Sequence, residues 1–174
     1  MDLEERVAEL ERRMAELEST GGTGGTGPVA PAVGEGDFWA LDVLKARHPV
    51  TEEADGAVLF TGSVRVPTGH RYDWQYGQLT EALFEGEWSD AAESFAALGH
   101  PVRLRLLREI LGGLRTAAEL AALDDVGTTG QIYHHLRQLT AAGWLHTTER
   151  GRYEVPAGRV VPLLVVLTAA RPVT

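Results

Sequence analysis

A mainly α fold with a small β component, α+β in class, is predicted by three features of the 174-residue chain. Through most of the second half, apolar residues recur at helical spacing between glycine and proline breaks. Two stretches, near residues 58–76 and 144–155, alternate at period two instead. The first 18 residues carry a heptad pattern and run into a Gly/Pro-rich stretch. Four segments follow: a helix over 1–18, a linker over 19–36, a helix plus β-hairpin subdomain over 37–88, and a helical domain with a second hairpin over 89–174.

In the first segment Leu3, Val7, Leu10, Met14 and Leu17 are spaced 4, 3, 4, 3, as a coiled-coil seam requires. With the leucines at d, Arg6 and Arg13 fall at g and Glu4, Glu11 and Glu18 at e. A parallel pair then sets Arg6 against Glu11 of the other helix and Arg13 against Glu18, whereas an antiparallel pair opposes like charges. The predicted element is a short parallel coiled coil that assists a dimer formed elsewhere, since a helix of this length barely repays nucleation. The alternative is a solvated amphipathic helix. Residues 19–36 hold seven glycines and no periodic apolar set. They read as a flexible tether with a reach of roughly 23 Å. A phosphate-binding loop fails on context, because no strand precedes these glycines and no Lys-Ser/Thr pair follows them.

The third segment begins with Asp37 as the expected cap of a helix through Arg47, burying Phe38, Leu41 and Leu44 and ending at His48-Pro49. Val58, Phe60, Val64 and Val66 share one face of a strand, Pro67-Thr68-Gly69 turn the chain, and Tyr72, Trp74 and Tyr76 share one face of the returning strand. This aromatic face reads first as core. Its alternative is the wall of a ligand pocket built from Trp39, Tyr72, Trp74 and Tyr76, with Trp88 nearby and the effector unidentified.

From Ser89 onward, helix signals follow in close order. Ser89 or Asp90 is expected to cap a helix with Ala92, Phe95 and Leu98 inward, and Gly99-His100-Pro101 stops it. Val102 to Leu111 forms the next, with Val102, Leu106 and Ile110 toward the core. Thr116 and Glu119 make a capping box for a third helix that buries Ala117, Leu120 and Ala121. Thr128 or Thr129 caps a fourth, with Ile132, Leu136 and Leu139 as its buried stripe. Two helices joined by a turn, the second apolar on one side and polar on the other, form a helix-turn-helix. Outward on the second lie Gln131, Tyr133, His134, Arg137 and Gln138, and no acidic residue occurs between Thr128 and Thr148.

A helix lying against phosphates tolerates carboxylates poorly. Gln131 and His134 suit base edges, while Arg137 and the early helical amides near Thr128 and Thr129 suit phosphate. Trp144 to Val155 then reads as two short strands around Glu149-Arg150-Gly151-Arg152, a wing whose Arg150 and Arg152 can reach the minor groove or the backbone.

Charge supports this division. The net charge of −9 argues against nucleic acid when averaged over the chain, but residues 1–88 carry 7 basic and 17 acidic side chains, whereas residues 89–174 carry 9 and 8. Fifteen of the 16 basic residues are arginine, which favours bidentate contact with phosphates and base edges. Zero cysteines remove disulfides, thiolate metal sites and cysteine nucleophiles. The longest apolar run, near Val160 to Ala170, has about 11 residues including Pro162, short of the ~18 that a membrane span needs. The N-terminus lacks the basic and apolar regions of a secretory signal. A soluble, cytoplasmic protein is expected.

The stretches ALGHPVRLRLLREIL, TAAELAAL, TTGQIYHHLRQLTAAGWL and TTERGRYEV resemble the ArsR-type winged helix-turn-helix transcriptional regulators, over roughly residues 89–171. The resemblance implies a symmetric dimer whose first and last helices pack together, reading an inverted repeat in double-stranded DNA. It implies Gln131, Tyr133 and His134 as groove-facing residues, and a supporting role for His135. Metal-sensing relatives carry a Cys-x-Cys on the recognition helix or Asp/His/Glu ligands on the terminal helix, and this chain has neither. Its only adjacent histidines, His134 and His135, point about 100° apart on a helix. No metal and no cofactor is expected.

The terminal VVPLLVVLTAA is apolar nearly all round, as suits a helix buried against a second subunit through Leu163, Leu164 and Leu167, with Phe95 on the first helix; a buried strand is the competing reading. The expected protein is a homodimeric or higher-order DNA-binding regulator. An adaptor with a degenerate winged helix, its acidic half holding a basic protein, is the alternative. No catalytic constellation supports an enzyme.

Overall fold

The computed structural model describes residues 38–148 and 151–171. The coiled-coil residues Leu3, Val7, Leu10, Met14 and Leu17, the tether, the Asp37 cap and Arg150 lie outside them. From Trp39 onward the chain is one packed unit. Its helices are α1 (Trp39–Arg47), α2 (Thr80–Glu85), α3 (Ala92–Leu98), α4 (Pro101–Leu111), α5 (Ala117–Ala121), α6 (Thr129–Ala141) and α7 (Ala157–Ala169). Two antiparallel hairpins complete it: β1 (Ala57–Arg65) with β2 (Arg71–Leu79), and β3 (His146–Thr148) with β4 (Arg152–Glu154). The α+β class and the winged helix-turn-helix arrangement hold.

The core is the interior of the α4–α5–α6 unit. Leu106, Leu120, Ile132, Leu136, Leu139 and Val160 are 0% exposed and belong to one cluster, with Leu107, Val126 and Leu163 beside them. The period-3.6 stripes account for this: Ile132, Leu136 and Leu139 are the three buried residues of α6, and Leu106, Leu107 and Ile110 those of α4. Val102 is only half-buried. The caps match the sequence. Thr116 and Glu119 form a reciprocal capping box, and His100, with Pro101 at the first helical position, accepts from the Val102 amide to cap α4.

The first hairpin closes through Val66-Pro67-Thr68-Gly69. The Gly69 amide donates to the Val66 carbonyl at 2.8 Å, and Gly69 at φ +88° lets Val66 pair with His70. The even-numbered positions share one face, with Phe60 opposite Tyr76, Gly62 opposite Trp74 and Val64 opposite Tyr72. That face packs on α7. Gly62 permits the approach, because a Cβ there would sit 2.6 Å from a Val161 methyl, and the Trp74 indole lies beside Gly158. Val66 reaches the main core.

Three expectations change. The apolar terminal segment is the helix expected, and one side of it packs on the chain's own first hairpin. Leu163 is a core residue, 1% exposed; Leu164 is half-buried, and Leu167 is left at the surface. In α1 nothing is buried: Phe38 and Leu41 are exposed and Leu44 half-buried, because the hairpin does not close onto that helix. In α3 the inward residues are Ala97 and Leu98, while Ala92 and Phe95 face out. A 3-10 turn over Trp88–Ala91 stands where the Ser89 or Asp90 cap was expected, and α3 begins only at Ala92.

Candidate nucleic-acid interface

The second helix of the motif, α6, is set by its N-terminus. Its connection from α5 turns sharply, with Asp125 at φ +60° and Gly127 at φ +91°. Thr128 then caps α6: its hydroxyl accepts from the Gln131 amide, and the Gln131 side-chain oxygen accepts from the Thr128 amide at 2.8 Å. The φ of Gly127 calls for glycine, and a Cβ there would also crowd the Gln131 oxygen at 2.5 Å and push it from the cap. Gln131 is thus a capping residue whose carbonyl is committed to its own backbone. With its oxygen so engaged, its NH₂ is the group left to donate outward. The Thr-x-x-Gln spacing signalled the box in the sequence, as Thr-x-x-Glu did for α5.

Beyond the cap, Thr129, Tyr133, His134 and Arg137 are all exposed. With the buried stripe as reference, His134 points most directly away from the core, Arg137 lies about 60° to one side, and Tyr133 is further round. Gly130 falls on this same outward face with nothing within 4 Å of where a Cβ would be. Sequence reasoning passed over it. A glycine in a helix costs about 1 kcal/mol relative to alanine, and here it leaves the backbone bare where a duplex would approach.

Neighbouring side chains hold α6 in position. The Arg103 guanidinium donates to the carbonyls of Ala96 and Ala97 at the end of α3, both at 2.6 Å, and to the side-chain oxygen of Gln138 on α6. Gln138, read from sequence as an outward hydrogen-bonding group, therefore serves this clasp. His135 turns inward, its ring 4.6 Å from that of His100. Its buried Nδ1 has no partner, and burial, followed by the charges of His100, Arg103 and His134, holds its pKa below the ordinary histidine value.

The wing stands on firm contacts. The Tyr153 amide donates to the Arg115 carbonyl at 2.7 Å, and the Arg115 guanidinium pairs with Glu154. Trp144, 3% exposed, donates to the Ser94 carbonyl, and Arg159 stacks on its ring at 4.9 Å. Arg152 is exposed at the start of β4. The nearby Glu119 carboxylate lies below its usual pKa, chiefly through the Arg115 and Thr116 amides, with a smaller contribution from Arg152.

The four residues grouped as a pocket wall do not converge. Trp39 lines a cavity on the odd-numbered side of the hairpin, whereas Tyr72, Trp74 and Tyr76 lie on the side that meets α7. Among the described residues no cluster of three metal-ligating side chains occurs, and no helix is long and apolar enough to cross a membrane.

Two packed helices with a capped, carboxylate-free outer helix and a hairpin beside it define a winged helix-turn-helix domain. Residues 98–147 match the helix-turn-helix domain family, a class of DNA-binding regulatory domain, and that span runs from the end of α3 to β3. No curated protein and no solved structure matches the chain.

Proposed function

We propose that this protein is a sequence-specific transcriptional regulator of the ArsR type, binding an inverted repeat in double-stranded DNA as a homodimer without metal sensing. One observation carries the reading: α6 hides every large aliphatic side chain at 0% exposure and offers outward only uncharged, imidazole and guanidinium groups around a bare Gly130. In this reading α6 enters the major groove, with His134 and Tyr133 at base edges, Thr128, Thr129 and Arg137 at phosphates, and Arg150 and Arg152 on the flanking backbone. The exposed Phe95 and Leu167, together with the heptad leucines near the N-terminus, supply the surfaces for a symmetric dimer.

Two copies of Arg137, Arg150 and Arg152 neutralise about six phosphates, so log affinity should fall against log salt with a slope of roughly −5. Electrophoretic shifts with genomic fragments test the reading. Some fragments should bind far more tightly than the bulk, and reversing Arg150 and Arg152 to Glu should weaken binding to all of them. Equal affinity for every fragment, unaffected by that reversal, would overturn it.

A further inference from the structure

The first hairpin uses its two faces differently. Its even-numbered side packs on α7, but its odd-numbered side turns toward α1 across a cavity of about 340 Å³. That volume lies at the small end of the range for ligand sites, roughly 300–1,000 Å³.

The walls are mainly apolar and, among the described residues, unfilled. Trp39, Val43 and Leu44 of α1 stand opposite Leu59 of β1 and Leu79 of β2. Trp39, Val43 and Leu79 nevertheless remain 60%, 47% and 49% exposed. Protein interiors normally close to near-crystalline density, so an apolar gap of this size leaves burial unrealised until something enters it. Gly77 lies among the lining residues and adds no side chain to the space.

The charge is one-sided. Nine residues between 37 and 88 are acidic, yet among the described residues no Asp or Glu lines the cavity, and Arg47 is the one permanently charged lining residue, with His48 beside it. Among the described residues Arg47 has no ion pair and no side-chain hydrogen bond. An apolar chamber with a lone guanidinium at its edge suits a ligand with the complementary division: an apolar body and one carboxylate.

We propose that the cavity between α1 and the β1–β2 hairpin binds a small amphipathic monocarboxylic acid, its apolar body against Trp39, Val43 and Leu59 and its carboxylate on Arg47. Taking ~30 Å³ per water-sized group, the space holds a body of roughly a dozen non-hydrogen atoms.

Isothermal titration calorimetry of the full-length protein with octanoate, and with 1-octanol as the uncharged match, tests the site without DNA, so its result stands apart from the DNA-binding reading. Octanoate should saturate at one per chain and 1-octanol should bind at least about tenfold more weakly, through loss of the charge-assisted pair. Arg47→Gln should bring octanoate to the level of the alcohol and leave the alcohol unchanged. Ala40→Trp, which fills the chamber, should abolish both; should that variant misfold, the Arg47→Gln comparison decides. Equal affinity for acid and alcohol, an octanoate affinity unmoved by Arg47→Gln, or no saturable heat with octanoate would each overturn the proposal.

Discussion

Residues 98–147 and residues 39–95 of the same chain solve the burial problem in opposite ways. In the first stretch, short connections bring α4, α5 and α6 together, and their apolar stripes meet in one buried cluster. In the second, Trp39, Phe84, Trp88 and Phe95 remain 60% exposed or more, and the hairpin finds its packing partner in α7, some ninety residues further along. Local periodicity is sufficient where the partner is next in sequence. Where the partner is remote, the same composition leaves large apolar surface that only a ligand, another chain or a distant helix can cover.

The sharpest break of this contrast is a pair of truncations. Leu136→Ala removes a fully buried side chain and should cost about 3 kcal/mol in urea unfolding, whereas Phe84→Ala, on the exposed aromatic pair with Trp88, should stay within about 0.5 kcal/mol. Comparable losses would mean that the aromatic surface is covered in solution. Next in size is Gly62→Val. The new side chain meets Val161 where only a hydrogen fits, so a loss of about 1–3 kcal/mol by overpacking is expected; a neutral result would mean that the hairpin does not rest on α7. Thr128→Ala removes the α6 cap and should cost about 1 kcal/mol by thermal unfolding. Gln131→Ala should also lower stability, in step with its role in the box, rather than change base preference alone.

The smallest expected effect is a pH dependence centred on His135. The imidazole is held below its ordinary value of 6.5, so the unfolded chain takes up the proton more readily than the folded one. Stability from this group is complete above about pH 6.5 and declines as the pH falls through the window beneath it. Urea midpoints measured across that window should drop toward acid in the native protein and change less in His135→Leu; identical slopes would remove His135 as the source.

Much of the helix-turn-helix was legible before any coordinates, because its signals are local. Thr116 and Glu119 capped α5 as their spacing required, and Ile132, Leu136 and Leu139 faced inward as the 3.6-residue period required. The candidate site was legible in part. His134 and Arg137 point outward as expected, but Gln131 was claimed by its own helix, a competition between backbone and ligand that side-chain type alone does not settle. The misreadings came where rotation depends on something non-local. α3 begins only at Ala92, after a 3-10 turn over Trp88–Ala91, and leaves Phe95 exposed, while the packing of α7 on the β1–β2 hairpin is a contact that no period within the helix reveals.

The clasp formed by Arg103 has a mechanical corollary. One guanidinium grips the last carbonyls of α3 and an amide of α6, so it acts as a detent on the roll of the outer helix. Turning α6 by a single residue's increment, about 100°, would pull Gln138 out of reach. The angle at which His134 and Arg137 are presented is therefore built in before any duplex arrives.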